Sequence, residues 1–192
     1  MIENIVKLSR SYRSFDEART VSYEELAELV NIARLCPSAM NRQPLKYRLV
    51  FDREEVETLL AITKWGGMLP EIKLPPDGMH PQAFIVVCCD TDLCVNVDSA
   101  RFDAGIASQT IMLAASERGL GGCILGAFDK SRASEILSID EKYSPIVILA
   151  LGKPAENIVI CDTTENGGTA YFRDDNGTHF VPKRSLEEII IK

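Results

Sequence analysis

Ala104-Gly105-Ile106-Ala107-Ser108, in the middle of a helical run from Asp98 to Arg118, leads into Gly119-Leu120-Gly121-Gly122-Cys123-Ile124-Leu125-Gly126. The run predicts a long helix that is small on nearly every side at its centre, so neighbouring backbones pack close around it and it occupies the middle of the fold. Gly119-x-Gly121 invites a dinucleotide-loop reading, but the order is wrong. These glycines follow a helix and precede a strand, whereas the Rossmann fingerprint follows a strand and opens a helix. Helix termination at Gly119 is the better account. Gly126, at the far end of the strand from Gly122 to Leu125, has no side chain and lets backbone amides approach a flat ring closely.

Outward from this centre, helices and strands alternate irregularly. Ile2 to Leu8 has an amphipathic helical pattern. Ser22-Tyr23-Glu24-Glu25 is a capping box, and the helix it opens runs to about Leu35 with Leu26, Leu29, Val30 and Ala33 on its buried stripe, stopping at Pro37. Tyr47 to Phe51 reads as a strand, Glu54 to Thr63 as a helix, and Ala83 to Cys89 and Ile146 to Leu151 as further strands. Trp65 through Pro81, with Gly66, Gly67, Pro70, Pro75 and Pro76 and no regular period, reads as a loop or lid. Asn176-Gly177 between Tyr171-Phe172 and Phe180-Val181 predicts a type I′ hairpin. The pattern implies an α+β fold, a central mixed sheet flanked by helices. We read residues 1–192 as one domain carrying a C-terminal hairpin and basic tail over about 157–192.

The chain has 192 residues, is 46% hydrophobic and has a formal net charge of -7, so it can bury a sizeable core and lacks the basic face that diffuse nucleic-acid binding needs. Met1-Ile2-Glu3-Asn4 is unlike the start of a signal peptide and no apolar run approaches a bilayer span, so a cytoplasmic protein is expected. The six cysteines (Cys36, Cys88, Cys89, Cys94, Cys123 and Cys161) form no CxxC pair or Cys/His zinc spacing, so no metal site is expected. Buried or inert thiols are the expectation, with Cys88 and Cys89 inside an apolar run.

Four stretches carry candidate chemistry. Arg10-Ser11-Tyr12-Arg13 places two guanidiniums and a hydroxyl within four residues, which suits an oxyanion clamp; a solvated basic turn is the alternative. Pro37-Ser38-Ala39-Met40-Asn41-Arg42-Gln43-Pro44 is stiffened by proline at both ends. It supplies neutral donors and acceptors from Ser38, Asn41 and Gln43, fit for a heteroaromatic edge or a polyol; an ordinary helix-to-strand turn is the alternative. The third is the glycine run ending at Gly126. The fourth, Pro182-Lys183-Arg184, either closes on the phosphate of the first stretch or forms a solvated tail. His80 and His179 have no nearby Ser or Cys nucleophile motif and read as surface or packing residues, and Asp103 as a structural hydrogen-bonding group.

Together these stretches resemble the nitroreductase family in content and order, over almost the whole chain. The matching features are Arg10-Ser11-Tyr12-Arg13-Ser14-Phe15, the complete Pro37-to-Pro44 loop, and the long helix ending in Gly119-Leu120-Gly121. Leu125-Gly126, Leu151-Gly152-Lys153-Pro154 and the closing Lys183 and Arg184 complete the set. The chain departs from the family's pattern at Leu45, where an aromatic often follows Gln-Pro, and between Ala61 and Pro81.

The resemblance implies an intertwined homodimer with FMN at the subunit interface. Arg10, Ser11 and Arg13 would meet the phosphate and ribityl chain or the pyrimidine edge, and Lys183 and Arg184 would be the closing basic residues, with contact to the phosphate left open for both. Pro37, Ser38 and Asn41 would arrive from the neighbouring subunit, and Gln43 of the same loop would also bind the cofactor. Ile124, Leu125 and Gly126 would lie against the isoalloxazine. The implied reaction is ping-pong hydride transfer from NADH or NADPH to a nitroaromatic, quinone or similar small-molecule acceptor. The flavin carries the chemistry, so no protein residue is assigned a catalytic role. A flavin-dependent oxidase, a dehalogenase, a flavin-cleaving enzyme or a non-catalytic flavin binder are the alternatives on the same fold.

Overall fold

The computed structural model describes residues 2–94, 96–163 and 166–191. In chain order the elements are α1 (Ile2–Leu8), β1 (Phe15–Asp16), α2 (Tyr23–Ala33), a 3-10 turn at Ala39–Asn41, β2 (Leu45–Val50), α3 (Arg53–Leu60) and β3 (Ala83–Asp90). Then follow α4 (Val97–Glu117), β4 (Gly121–Leu125), α5 (Lys130–Ile136), β5 (Tyr143–Pro154), β6 (Ile158–Asp162), β7 (Phe172–Arg173), β8 (His179–Lys183) and α6 (Leu186–Ile189).

The larger sheet has the order β1-β5-β3-β2, with β4 also paired to β5. Its ladders are antiparallel, and one parallel bridge joins Ser11 to Gly122. All eight residues of β3 are buried, because both faces of the sheet are covered. Strand alternation sorts them. Ile85, Val87 and Cys89 join α2 and α4 in one core, while Phe84, Val86 and Cys88 join α3 and α5 in the other. A smaller sheet, β6-β8-β7, pairs β6 with β8 parallel and β7 with β8 antiparallel.

Local chemistry explains the boundaries. Ser22 and Glu25 form the capping box of α2 as expected. Asp52 stops β2 one residue short of Phe51 by accepting the amides of Glu54 and Glu55, which starts α3. That helix ends at Leu60 instead of Thr63, after which Lys64 donates to the Ala127 carbonyl at 2.9 Å. α4 ends in a Schellman turn. Gly119 takes φ +71°, Leu120 N–H reaches the Ala115 carbonyl at 2.9 Å, and Gly119 N–H reaches Ser116 at 3.2 Å.

The small residues of α4 let it pack closely on one side, through Ala100, Ala104, Ala107 and Ile111. Its other side carries Arg101, Phe102, Gly105 and Gln109 and is exposed, with Phe102 at 76%. The hairpin near the C-terminus also differs from expectation. Phe172 pairs with Phe180 and Arg173 with His179, so five residues separate the strands instead of two. The Asp174 carboxylate accepts the amides of Asn176 and Thr178 and organises the turn, leaving Gly177 alone at positive φ. Among the described residues no helix is long and apolar enough to cross a membrane.

Candidate functional site

A cavity of about 310 Å³ opens where the chain after α1 meets β4 and the smaller sheet. Arg10, Ser11 and Arg13 form one wall, Gly122 and Ile124 the floor, and His179, Val181 and Lys183 a second wall with Tyr171. The alternating side of β8 accounts for the second wall, since residues 179, 181 and 183 share a face.

Backbone contacts lock the basic segment in place. Tyr12 N–H donates to the Gly122 carbonyl at 2.9 Å beside the Ser11–Gly122 bridge. Glycine is required on both sides of β4: Gly122 for its approach to β5, and Gly121 for the approach of Tyr12. A Cβ on Gly122 would lie 1.9 Å from the Ala150 carbonyl oxygen, and one on Gly121 would lie 2.6 Å from the Tyr12 ring. The glycine run that ends α4 therefore also admits the Arg10–Arg13 segment to the sheet edge.

The electrostatics are one-sided. Arg10 donates to the Val6 carbonyl at 2.8 Å, while its Nε is buried without a partner. Arg13, only 8% exposed, donates to the Ser11 carbonyl at 3.0 Å, lies 3.3 Å from His179 Nε2, and sits 4.9 Å over the Tyr171 ring. Among the described residues no carboxylate forms an ion pair with the side chain of Arg10, Arg13 or Lys183. Burial first, then the charges of Arg13 and Arg173, push the pKa of His179 down to about 4, so its ring is neutral near pH 7. Uncompensated cations around a concave space are the donor set of an anion site.

Of the residues singled out in the sequence, Arg10, Ser11, Arg13, Ile124 and Lys183 come together here. Ile124 is 43% exposed, whereas the Leu125 side chain turns into the core, and at Gly126 a Cβ would have no neighbour within 4 Å. Arg184 is not on the cavity; it faces Glu188 of α6 at 3.6 Å.

Pro37, Ser38 and Gln43 line a different pocket, of about 210 Å³, with Asp103 and Tyr47. Ser38 Oγ donates to Asp103 at 2.6 Å, Ala39 N–H donates to the same carboxylate at 3.2 Å, and Asn41 accepts from the Gln43 amide at 3.1 Å. Asp103 thus has the structural role expected of it. The loop it holds carries three residues at positive φ: Met40, Asn41 and Gln43.

Sequence reasoning missed Tyr171, Arg173 and Glu156 and gave His179 only a packing or surface role. His179 is 1% exposed and on the cavity wall. The alternation His179-Val181-Lys183 is the signal that could have found it. His80 lies apart, with Nδ1 3.0 Å from Glu57. Burial pushes the Cys88 and Cys89 thiols up to about 12 and raises Cys123 too; Cys36, Cys94 and Cys161 are half-buried. Among the described residues no group of three or more His, Cys, Asp or Glu could hold a metal ion.

Comparison with known proteins gives the family to which the chain is similar. The family model described as "Nitroreductase family" matches residues 8–89 and 96–153. A Methanothermobacter thermautotrophicus protein named "Putative NADH dehydrogenase/NAD(P)H nitroreductase" is 31% identical over 156 residues, 79% of this chain and 76% of the relative. An oxygen-insensitive NADPH nitroreductase of Helicobacter acinonychis is 29% identical over 174 residues, covering 74% and 82% of the two chains. Among solved structures, an FMN-dependent nitroreductase of Clostridium difficile superposes with a TM-score of 0.64 at 27% identity, covering 80% of this chain and 87% of the other.

Proposed function

The chain belongs to the nitroreductase family, and from that premise we propose that it is a flavin-dependent NAD(P)H oxidoreductase holding FMN in the cavity between Arg10, Ser11, Arg13 and Lys183. The observation that carries the reading is the set of unpaired cations around that cavity, with the buried, partnerless Nε of Arg10 among them. That donor set fits a phosphate and an electron-rich ring edge. It suits one terminal phosphate, so FMN is favoured over FAD, and the chain has no strand-loop-helix fingerprint for a pyrophosphate.

FMN bound there would supply the hydride chemistry between NADH or NADPH and a nitroaromatic, quinone or similar acceptor. The protein's residues bind and orient. Arg10, Ser11 and Lys183 hold the phosphate end, and Arg13 offers positive charge to the ring edge. The exposed side of Ile124 gives an apolar surface, and the open space at Gly126 lets backbone come close to a ring. No side chain needs to act as acid or base in this scheme.

A second copy of the chain completes the site in this reading. Ser38 and Asn41 stand away from the cavity within one chain, and Ile2, Val6, Leu8 and Phe102 leave apolar surface exposed on α1 and α4. A homodimer that covers α4 by two-fold symmetry accounts for both.

The test is a visible spectrum of the purified protein, mass analysis of the released cofactor, and anaerobic reduction with each nicotinamide. A yellow protein that releases FMN and bleaches with NADH or NADPH is expected; a colourless protein with no affinity for added FMN defeats the proposal. Sedimentation should show a dimer at micromolar concentration, tightened by FMN through mass action. A monomer that holds FMN tightly would remove the second copy from the site.

A further inference from the structure

Beyond residue 153, where the family match ends, the chain comes back to Arg13 repeatedly. Glu156 accepts from the backbone N–H groups of Arg13 and Ser14, the second at 3.0 Å. Its other carboxylate oxygen is engaged by Arg173, and both side chains are nearly buried. Tyr171 lays its ring against the Arg13 guanidinium at 4.9 Å, and His179 brings Nε2 to 3.3 Å from Arg13 Nη1. The cluster thus holds two guanidiniums and one carboxylate, and the carboxylate is allocated to Arg173. Arg13 is left with neutral partners alone: a carbonyl, an imidazole nitrogen and a ring face.

That allocation has a chemical consequence. A guanidinium only donates, so His179 Nε2 is the unprotonated nitrogen and the ring is the neutral tautomer with its proton on Nδ1. The surroundings enforce this: the charged groups that face the ring are Arg13 and Arg173, and the Glu156 carboxylate is turned to Arg173. Nδ1 is buried with no hydrogen-bond partner, at a cost to the stability of the fold. A carboxylate in place of His179 would hold Arg13 as firmly but cancel its charge. An imidazole and a ring face fix the planar fork and leave the charge available in a low-dielectric wall.

We propose that His179 and Tyr171 are positioning residues that hold the Arg13 guanidinium, uncompensated, at the cavity wall so that its charge serves a bound anionic ligand. The ligand's identity rests on the reading of the cavity as an FMN site; the positioning itself does not. Tyr171 extends the arrangement, because its hydroxyl accepts the Met68 N–H at 3.1 Å and ties the 61–81 loop to the same cluster.

Two measurements test this on the full-length protein. In ligand-free protein labelled with 15N-histidine, the His179 ring should be neutral at pH 6 with its proton on Nδ1, and Arg13→Ala should abolish that preference. A protonated ring, or a proton on Nε2, overturns the proposal whether or not flavin binds. In FMN fluorescence titrations His179→Leu and Tyr171→Leu should each weaken binding by about tenfold. His179→Gln, whose side-chain oxygen reaches close to where Nε2 stands, should restore affinity to within about threefold of wild type. His179→Leu should also move the midpoint potential of bound FMN to more negative values, and His179→Gln should not. Equal affinities and potentials for the Leu and Gln variants refute the positioning role. Wild-type protein that fails to bind FMN refutes the flavin reading instead, and the tautomer measurement then judges the positioning alone.

Discussion

Gly122→Ala is the substitution for which the structure makes the sharpest demand. A Cβ there would lie 1.9 Å from the Ala150 carbonyl oxygen, where non-bonded contact needs about 3.2 Å. The obstacle is backbone in the middle of the β4–β5 ladder, between the Gly121↔Gly152 and Cys123↔Ala150 pairs, so no side chain can rotate out of the way. β4 must retreat by about 1 Å or more. Overpacking of that kind costs about 1–3 kcal/mol, and stretched ladder bonds add about 1 kcal/mol each. We expect about 3–5 kcal/mol in all, a fall in Tm of about 6–20 °C for a chain of this size. Gly126→Ala is the control, just past the end of the same strand, where a Cβ meets nothing within 4 Å and φ is not positive. It should stay within about 0.5 kcal/mol of wild type. Urea and thermal denaturation of both variants decide the matter. If Gly122→Ala matches Gly126→Ala, the close approach of β4 to β5 is not what requires glycine at 122.

Arg10→Ala should leave the fold intact and weaken FMN binding roughly ten- to a hundredfold, the worth of a charge-assisted contact; unchanged affinity removes Arg10 from the site. Titration with an aromatic disulfide at pH 8 should modify Cys36, Cys94 and Cys161 readily, and Cys88, Cys89 and Cys123 only after denaturation. The physical cause is burial, which raises the three buried thiols so that almost no thiolate forms at that pH; rapid reaction of all six would contradict it. His179 has its pKa depressed on folding, from 6.5 to about 4, so the unfolded chain binds a proton that the folded chain refuses as pH falls below 6.5. Stability is therefore unaffected by this group above pH 6.5 and declines below it, by about 2 kcal/mol at pH 5. Urea midpoints of wild type and His179→Gln at pH 7 and pH 5 isolate this contribution from that of the carboxylates; parallel behaviour of the two proteins would show that His179 titrates normally.

How far the sequence foretold these features depends on how local their causes are. The Ser22/Glu25 box, the Gly119 stop and the β3 run were all legible, because each is settled by side chains within a few residues of the boundary. β1 was not, since its two residues are a strand solely because Lys153 and Pro154 are there to pair with them. The Asn176-Gly177 turn misled for the same reason in reverse. A favourable dipeptide was overruled by Asp174, whose carboxylate captures two amides and widens the loop.

The site follows the same rule. Arg10, Ser11, Arg13 and Lys183 were recognisable as anion-binding groups by type, and the neighbouring Arg184 was too. Strand parity separates the last two: once β8 begins at His179, residue 183 shares the cavity face and residue 184 lies past the strand. Nothing local distinguishes Arg13 from Arg173, however. One keeps its charge free and the other surrenders it to Glu156, a difference of tertiary placement alone. The partners of a cation decide what the cation can do: Arg173 has Glu156 only 17 residues away, whereas Arg13 meets His179 from 166 residues along the chain.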